Sequence, residues 1–197
     1  MEVILKRLKG LREYLDSHYE VSVFNTALES DQPWCFHLHG KRIVTAKIQK
    51  IFTYDVKLVD TRGTPEIIPK VHVKFLYPET YADPMAKLLK VNKKVATLRM
   101  DPLFSPHLRH FIKNKSIFPL MMTKQVLFFT TLEGDVIRGL VAEFSRYDIQ
   151  VSLKGPIPIT LLRHSIYDVR DKKDRCYLKS FQESQRDWQR SELYQEV

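Results

Sequence analysis

The stretch from residue 132 to residue 170 constrains the fold of this chain more than any other part of the sequence. Apolar and polar residues alternate in two runs, 140–144 and 149–154, with the two-residue period of half-buried strands. Gly139 directly precedes the first run, within the same predicted strand, where glycine is normally avoided, and it therefore indicates a sharp bend. A glycine–proline pair closes the second run, and Pro158 begins a third strand. The pattern predicts a compact sheet that curls back on itself and ends in a basic turn.

The same pattern occurs 93 residues earlier in the chain. Few residues are identical, but the apolar class, a Tyr-Asp step and a basic turn keep the register. The matched positions are Ile48 with Val141, Ile51 with Phe144, Tyr54-Asp55 with Tyr147-Asp148, Pro65 with Pro158, and Lys70 with Arg163. An internal repeat is the economical explanation, and a coincidence between two ordinary barrels is the alternative.

The order of these features resembles the Sm-like RNA-binding family and, within it, the Hfq group of bacterial RNA chaperones. That pattern has a hairpin glycine, a second glycine five residues on, a Phe-x-x-aromatic step and a Lys-His-x-Ile-type turn. In this sequence the positions hold Gly134, Gly139, Phe144 with Tyr147, and Arg163-His164-Ser165-Ile166. The first copy departs from the pattern, because Ala46 takes the place of the second glycine and Val71 takes the place of the histidine.

The resemblance implies a mostly β fold with helices (α+β), consisting of two Sm-like, small, bent five-stranded barrels, each preceded by an N-terminal helix. We place the first domain with its helix at 1–78, a helical linker at 79–105, the second domain at 106–171 and a polar tail at 172–197. The spacing of apolar residues predicts helices over 1–17, 84–98 and 106–114. One or two strands are expected within 21–40, and the tail is expected to be a short docked helix or a mobile segment.

The composition favours a polyanionic partner. The formal net charge is +9 and the pI is about 9.5, which suit RNA, DNA or an anionic surface, although a solvated basic surface is the simpler alternative. Cys35 and Cys176 lie far apart, which is typical of a reduced, cytoplasmic protein and argues against a disulfide scaffold. No apolar run approaches the ~20 residues of a membrane span.

The sequence gives little support to catalysis. It contains no Gly-rich phosphate loop, nucleophile elbow or zinc-protease motif, so we predict that the chain is not an enzyme and needs no cofactor. His37 and His39 share one face of a predicted strand and form a candidate metal pair. Because no third ligand has a fitting spacing, partly exposed strand histidines are the preferred interpretation, and no metal site is predicted.

The candidate site is a binding site for single-stranded RNA. Proteins grip unpaired RNA with aromatic faces that stack on bases and with cations that contact phosphates. The resemblance places a uridine-binding pocket on the face that carries the N-terminal helices. The corresponding residues are Arg146, Tyr147, Arg163 and His164 in the second copy, and Thr53, Tyr54 and Lys70 in the first. A core tyrosine is the alternative for Tyr147, and an adenine-rich mode is not expected because Thr130 replaces the aromatic residue that such a mode uses.

The family closes its sheet edges by strand addition into six-membered rings, so two copies per chain imply a homotrimer that forms a pseudo-hexamer. The predicted function is that of an RNA chaperone and post-transcriptional regulator that anneals or protects uridine-rich RNA. The alternative is a ring-forming scaffold that binds a protein partner. A third possibility is association with DNA or a membrane through the lysines of the predicted linker helix, Lys87, Lys90, Lys93 and Lys94.

Overall fold

A computed structural model describes residues 7–195 of the chain. Within these residues the helices are α1 (Leu11–His18), α2 (Val23–Glu29), α3 (Ala82–Leu88), α4 (Lys93–Ala96), α5 (Asn114–Met122) and α6 (Lys179–Gln185). The strands are β1 (Arg7–Leu8), β2 (Trp34–Leu38), β3 (Ile43–Ile51), β4 (Asp55–Asp60), β5 (Pro65–Pro69), β6 (Val73–Pro78), β7 (Lys90–Val91), β8 (Val126–Thr131), β9 (Asp135–Phe144), β10 (Asp148–Ser152), β11 (Pro158–Leu162), β12 (Ile166–Asp171) and β13 (Tyr194–Gln195). The predicted α+β class is confirmed.

An antiparallel sheet of 11 strands contains every strand except the β1–β13 pair. The strands follow the order β12-β8-β9-β10-β11-β6-β2-β3-β4-β5, and β7 pairs with β9 from outside this path. The sheet does not close on itself, so β12 and β5 lie at its two ends.

The strand order repeats within the sheet. In the half formed by β2 to β6, the last strand pairs with the first, and the others follow in chain order. The half formed by β8 to β12 has the same arrangement. Each half has a 3-10 turn before its last strand, Lys70–His72 in the first and Arg163–Ser165 in the second. The offset of 93 residues found in the sequence therefore also relates the starts of β4 and β10, of β5 and β11, and of β6 and β12.

Two apolar cores lie in these halves, and the central strands face both of them. Along β6, Phe75 and Tyr77 belong to the larger core, whereas Val73 and Leu76 belong to the smaller one. All five residues of β2 are buried for the same reason. The predicted partial exposure of His37 is therefore wrong, because a strand between two cores has no solvent-facing side.

The two halves join where β11 pairs with β6, through Thr160 opposite Leu76 and Leu161 opposite Phe75. Close to this junction, the buried ammonium of Lys74 donates to Glu133 at 2.6 Å and to Asp135 at 2.7 Å. A buried cation is tolerated when carboxylates surround it in this way. The halves are therefore connected by both backbone pairing and an ion cluster.

The helix predictions are only partly correct. Residues 11–18 of the predicted helix 1–17 form α1, and residues 1–6 lie outside the described part. The predicted helix 84–98 is split into α3 and α4, because Lys90 and Val91 pair with β9 as β7. The predicted helix 106–114 is wrong. A 3-10 turn occupies 106–108, the chain then extends so that Ile112 bridges to Leu178, and α5 follows.

The segment after α1 differs from expectation, whereas the C-terminal tail follows the docked alternative. Residues 23–29, expected within a strand region, form α2, which begins after the capping residue Ser22. The tail is docked: Cys176, Tyr177 and Leu178 are buried in the larger core, and α6 follows. The tail also pairs with the N-terminal segment, since β13 is bonded to β1.

Candidate nucleic-acid interface

A tight loop between β9 and β10 presents Arg146 and Tyr147 to the solvent. The Ser145 hydroxyl fixes this loop by accepting hydrogen bonds from the backbone N–H groups of Tyr147 (3.1 Å) and Asp148 (3.2 Å). Tyr147 is 46% exposed, and the Arg146 guanidinium lies 5.6 Å from the centre of its ring. Arg146 also approaches Glu20 at 3.8 Å, but both side chains are well exposed, so this ion pair is weak. The ring and the cation are thus available to a ligand.

The buried carboxylate of Asp148 anchors the loop. Its carboxylate accepts from Ser145 Oγ at 2.9 Å and from the backbone N–H of Val23 at 3.0 Å. Burial raises the pKa of Asp148, and these hydrogen bonds oppose the shift. Asp148 therefore joins the loop to the first turn of α2 rather than facing solvent, and its role is structural.

The corresponding loop of the first half lies between β3 and β4. Tyr54 at its tip is 80% exposed. The Lys70 ammonium donates to the carbonyl oxygens of Phe52 and Thr53, and burial lowers its pKa. Lys50 lies over the Phe52 ring, 5.1 Å from its centre. This loop therefore also combines aromatic rings with lysines, although the ammonium of Lys70 is already hydrogen-bonded to backbone carbonyl oxygens.

Helix α2 brings the two loops to one region of the molecule. Lys70 of the first half lies 5.7 Å from the Phe24 ring, and the neighbouring Val23 is bonded to Asp148 of the second half. The loops also share a backbone contact at equivalent positions, since Lys70 N–H donates to Tyr54 O at 2.8 Å and Arg163 N–H donates to Tyr147 O at 2.9 Å. The loop of the second half is therefore bonded to α2 through Asp148, and the loop of the first half is connected to α2 through Lys70.

Two of the predicted pocket residues, Arg163 and His164, do not present a charge to this surface. Arg163 is only 8% exposed and donates to Ile112 O and to Asn114 Oδ1, both at 3.1 Å. Its guanidinium also lies 5.5 Å from the centre of the Phe144 ring, and burial lowers its pKa to about 10. Arg163 is therefore a buried cation, and its hydrogen bonds fix the segment that leads into α5.

The side chain of His164 is also hydrogen-bonded within the protein. Its Nε2 lies 2.9 Å from the carbonyl oxygen of Val73, which requires the proton to be on Nε2. Burial lowers the pKa of His164 to about 4, so the ring is neutral at pH 7. The structure thus exposes Arg146, Tyr147 and Tyr54 in two loops, places Lys70 beside α2, and encloses Arg163 and His164.

The Lys50–Phe52 pair was not predicted as part of the site. A signal for it exists in the sequence, since residues two apart at the end of a strand lie on the same face. The equivalent positions in the second half hold Glu143 and Ser145, so the repeat did not point to it.

Comparisons of the chain with protein-family models, curated proteins and solved structures give no match. Within residues 7–195, no group of three or more histidine, cysteine or carboxylate residues is arranged to hold a metal ion. No helix in that range is long and apolar enough to cross a membrane.

Proposed function

We propose that this chain binds single-stranded RNA as a tandem Sm-like, Hfq-related protein. The observation that carries the proposal is the exposed Arg146–Tyr147 pair, with the exposed Tyr54 at the position equivalent to Tyr147 and with Lys70 bonded to the loop that carries Tyr54. Base stacking on an aromatic ring contributes about 1–3 kcal/mol per base, and nearby cations add phosphate contacts. A net charge of +9 favours association with a polyanion.

The duplicated strand order supports the tandem Sm-like part of the proposal. Each half has five strands in which the last pairs with the first, and each has a basic 3-10 turn before that last strand. The smaller core is formed mainly by the first half and the larger core mainly by the second, which supports two separately packed halves.

The burial of Arg163 and His164 changes the expected mode of binding. A pocket that reads uridine needs hydrogen-bond donors at the base edge, and these two side chains already donate within the protein. Stacking and phosphate contacts remain, and they tolerate any base sequence. We therefore propose binding of single-stranded RNA with little preference for uridine over other bases, which suits the annealing or protection of RNA.

The test is fluorescence anisotropy of labelled uridine-rich and adenine-rich oligonucleotides over a series of salt concentrations. We expect Tyr147→Ala to weaken binding by about 5- to 100-fold, because one stacking contact is lost. Arg146→Ala should reduce the slope of log affinity against log salt by about 0.7, the value for one phosphate contact with a single strand. Phe181→Ala is the matched control, because Phe181 is an exposed aromatic residue (44%) outside both loops.

Two outcomes would contradict the proposal. If neither oligonucleotide bound at low salt, RNA binding would be wrong. If Phe181→Ala weakened binding as much as Tyr147→Ala, the loops would not be the site.

A protein-binding scaffold is the second candidate, and the segment between the halves favours it. Four apolar side chains between residues 98 and 111 are about half exposed or more: Leu98 (53%), Phe104 (64%), Leu108 (58%) and Phe111 (49%). A concentration of exposed apolar residues is typical of a protein-interaction surface. If the folded protein bound neither oligonucleotide at any salt concentration, this function would be favoured.

A further inference from the structure

The two ends of the sheet differ in what their outer edges offer. An unpaired strand edge has free N–H and C=O groups and invites another strand, so the edges determine how copies of this chain can associate. The predicted homotrimer would join β12 of one copy to β5 of the next, and it needs both edges free.

The outer edge of β12 is already occupied. The chain turns back after Asp171, and Cys176 forms an antiparallel bridge with Arg170. Tyr177 N–H donates to Val169 O at 2.9 Å, and His110 Nδ1 is bonded to Tyr167 O. Cys176 and Tyr177, which cover this edge, are part of the larger core, so a partner strand could not pair here without unpacking that core.

The outer edge of β5 is open among residues 7–195, where the strand pairs only with β4. Lys70 directly follows the strand, and its N–H donates to Tyr54 O, on the side of β4. Because the N–H and C=O groups of successive residues point to opposite sides of a strand, the groups of residues 66 and 68 also face β4. Groups at 65, 67 and 69 consequently face outward. Pro65 and Pro69 have no N–H, and Ile67 is therefore the residue that can both donate and accept.

The equivalent edge of β11 shows how such a strand is covered. Thr160, which lies 93 residues after Ile67, pairs outward with Leu76 of β6. The proline that begins β5 therefore does not prevent pairing that is centred on Ile67, since β11 also begins with a proline and Thr160 still pairs outward. Ile67 is 58% exposed, which leaves its side chain available to a partner.

We propose that two copies of this chain associate through their β5 strands about a two-fold axis, with Ile67 opposite Ile67 of the second copy. Antiparallel pairing of a strand with itself is symmetric and covers both open edges at once. It places Glu66 opposite Ile68 rather than opposite another carboxylate, and Glu66 is already paired with Arg42 in its own chain. Because β12 is covered, no further copy can add, and the assembly stops at the dimer.

The contact is small. Interfaces that bury less than about 1,200 Å² belong to the weak and reversible class, so we expect a concentration-dependent dimer. This inference is independent of RNA binding, because β5 does not contain either tyrosine loop.

The test is sedimentation equilibrium of the full chain at concentrations up to roughly 0.5 mM, the range suited to weak interfaces. We expect a reversible dimer for the unmodified chain and at least about tenfold weaker association for Ile67→Lys, because two lysines at the centre of the edge repel each other. Ile43→Lys is the matched control, since Ile43 is an equally exposed isoleucine (57%) on β3.

An oxidative cross-link gives a second measurement. Directly opposed residues in an antiparallel hydrogen-bonded pair have Cα atoms about 5.5 Å apart, within the range for a disulfide. Ile67→Cys should therefore give a covalent dimer on a non-reducing gel, and Ile43→Cys should not, while Cys35 and Cys176 are buried. A monomer at all concentrations, a trimer, or equal effects of the two lysine variants would each overturn the proposal.

Discussion

At the scale of single residues, two neighbouring arginines of the candidate pocket have opposite roles. Arg146 is exposed beside an exposed ring, whereas Arg163 is enclosed and donates hydrogen bonds to Ile112 O and Asn114 Oδ1. Both were predicted to contact RNA on the strength of the resemblance. The two arginines should therefore differ in how much each contributes to the free energy of unfolding.

We expect Arg163→Met to destabilise the protein by about 3 kcal/mol, because it leaves the buried Ile112 carbonyl and the Asn114 side chain without their donor. Arg146→Ala should change the free energy of unfolding by less than about 0.5 kcal/mol, as is usual at an exposed position. Urea unfolding followed by circular dichroism measures both values. An Arg163→Met protein of unchanged stability that has lost RNA affinity would show instead that Arg163 reaches the ligand.

At the scale of secondary-structure elements, the pairing of β9 with β10 depends on the absence of a side chain at Gly139. A Cβ atom at this position would lie 2.5 Å from both the Ser152 carbonyl oxygen and Val151 Cγ1. The register of the two strands also shifts between Gln150 and Val151. The glycine that indicated a bend in the sequence is therefore required by the close approach of the neighbouring strand.

Gly139→Ala should consequently cost about 1–3 kcal/mol, since backbone atoms of β10 must move to admit a methyl group. The comparison is Gly63→Ala, which meets nothing within 4 Å and is strained only by its positive φ, at a cost of about 1 kcal/mol. Thermal unfolding of the two variants measures the difference. Equal melting temperatures would mean that β10 relaxes around the methyl group and that the close approach is not a constraint.

The elements also show how far pattern reading succeeds. Strands whose bounds follow from alternation and from a proline, such as β10 and β11, start at the positions that the repeat predicts. The linker helix was predicted too long, because the pairing of β7 with β9 depends on a strand that is distant in the sequence. The prediction of a helix over 106–114 was wrong for the same reason, because Ile112 forms a β-bridge with Leu178, which is distant in the sequence.

At the scale of the whole molecule, the junction between the halves contains buried ionisable groups. Lys74 donates to Glu133 and Asp135, and His37 lies in the same region, bonded to Tyr77 at 2.9 Å. Burial lowers the pKa of His37 to about 4, with Asp135 opposing the shift and Lys74 adding to it. The junction is therefore most stable when the histidine is neutral and the carboxylates are ionised.

The stability of the protein should decrease as the pH falls from about 6.5 to 4. His37 has a lower pKa in the folded protein than in the unfolded chain, so its contribution is complete above 6.5 and is lost as the pH approaches 4. Burial alone would raise the pKa values of Glu133 and Asp135, but Lys74 keeps both below their usual range, so their contribution is lost at still lower pH. His39 and His164 have pKa values of about 4, also because of burial, and they act in the same direction as His37.

Urea midpoints measured from pH 4 to pH 8 test this expectation. His37→Gln keeps a hydrogen-bonding side chain without the titration, so its curve should be flatter between 6.5 and 4. An unchanged curve in that variant would assign the acid sensitivity to the other histidines or to the carboxylates.

The sequence by itself determined the local features of this protein. Alternation defines a strand because successive side chains point to opposite faces, and proline or glycine restricts the backbone of its own turn. The repeat followed from such short-range rules, whereas the α+β class and the choice of Tyr54 and Tyr147 as site residues were implied by the family resemblance. Only the tertiary structure decided that Arg163 lies inside, that β12 is covered and that β5 is open. These properties depend on which distant segments meet, as when Ile112 meets Leu178, and local patterns contain no information about that choice.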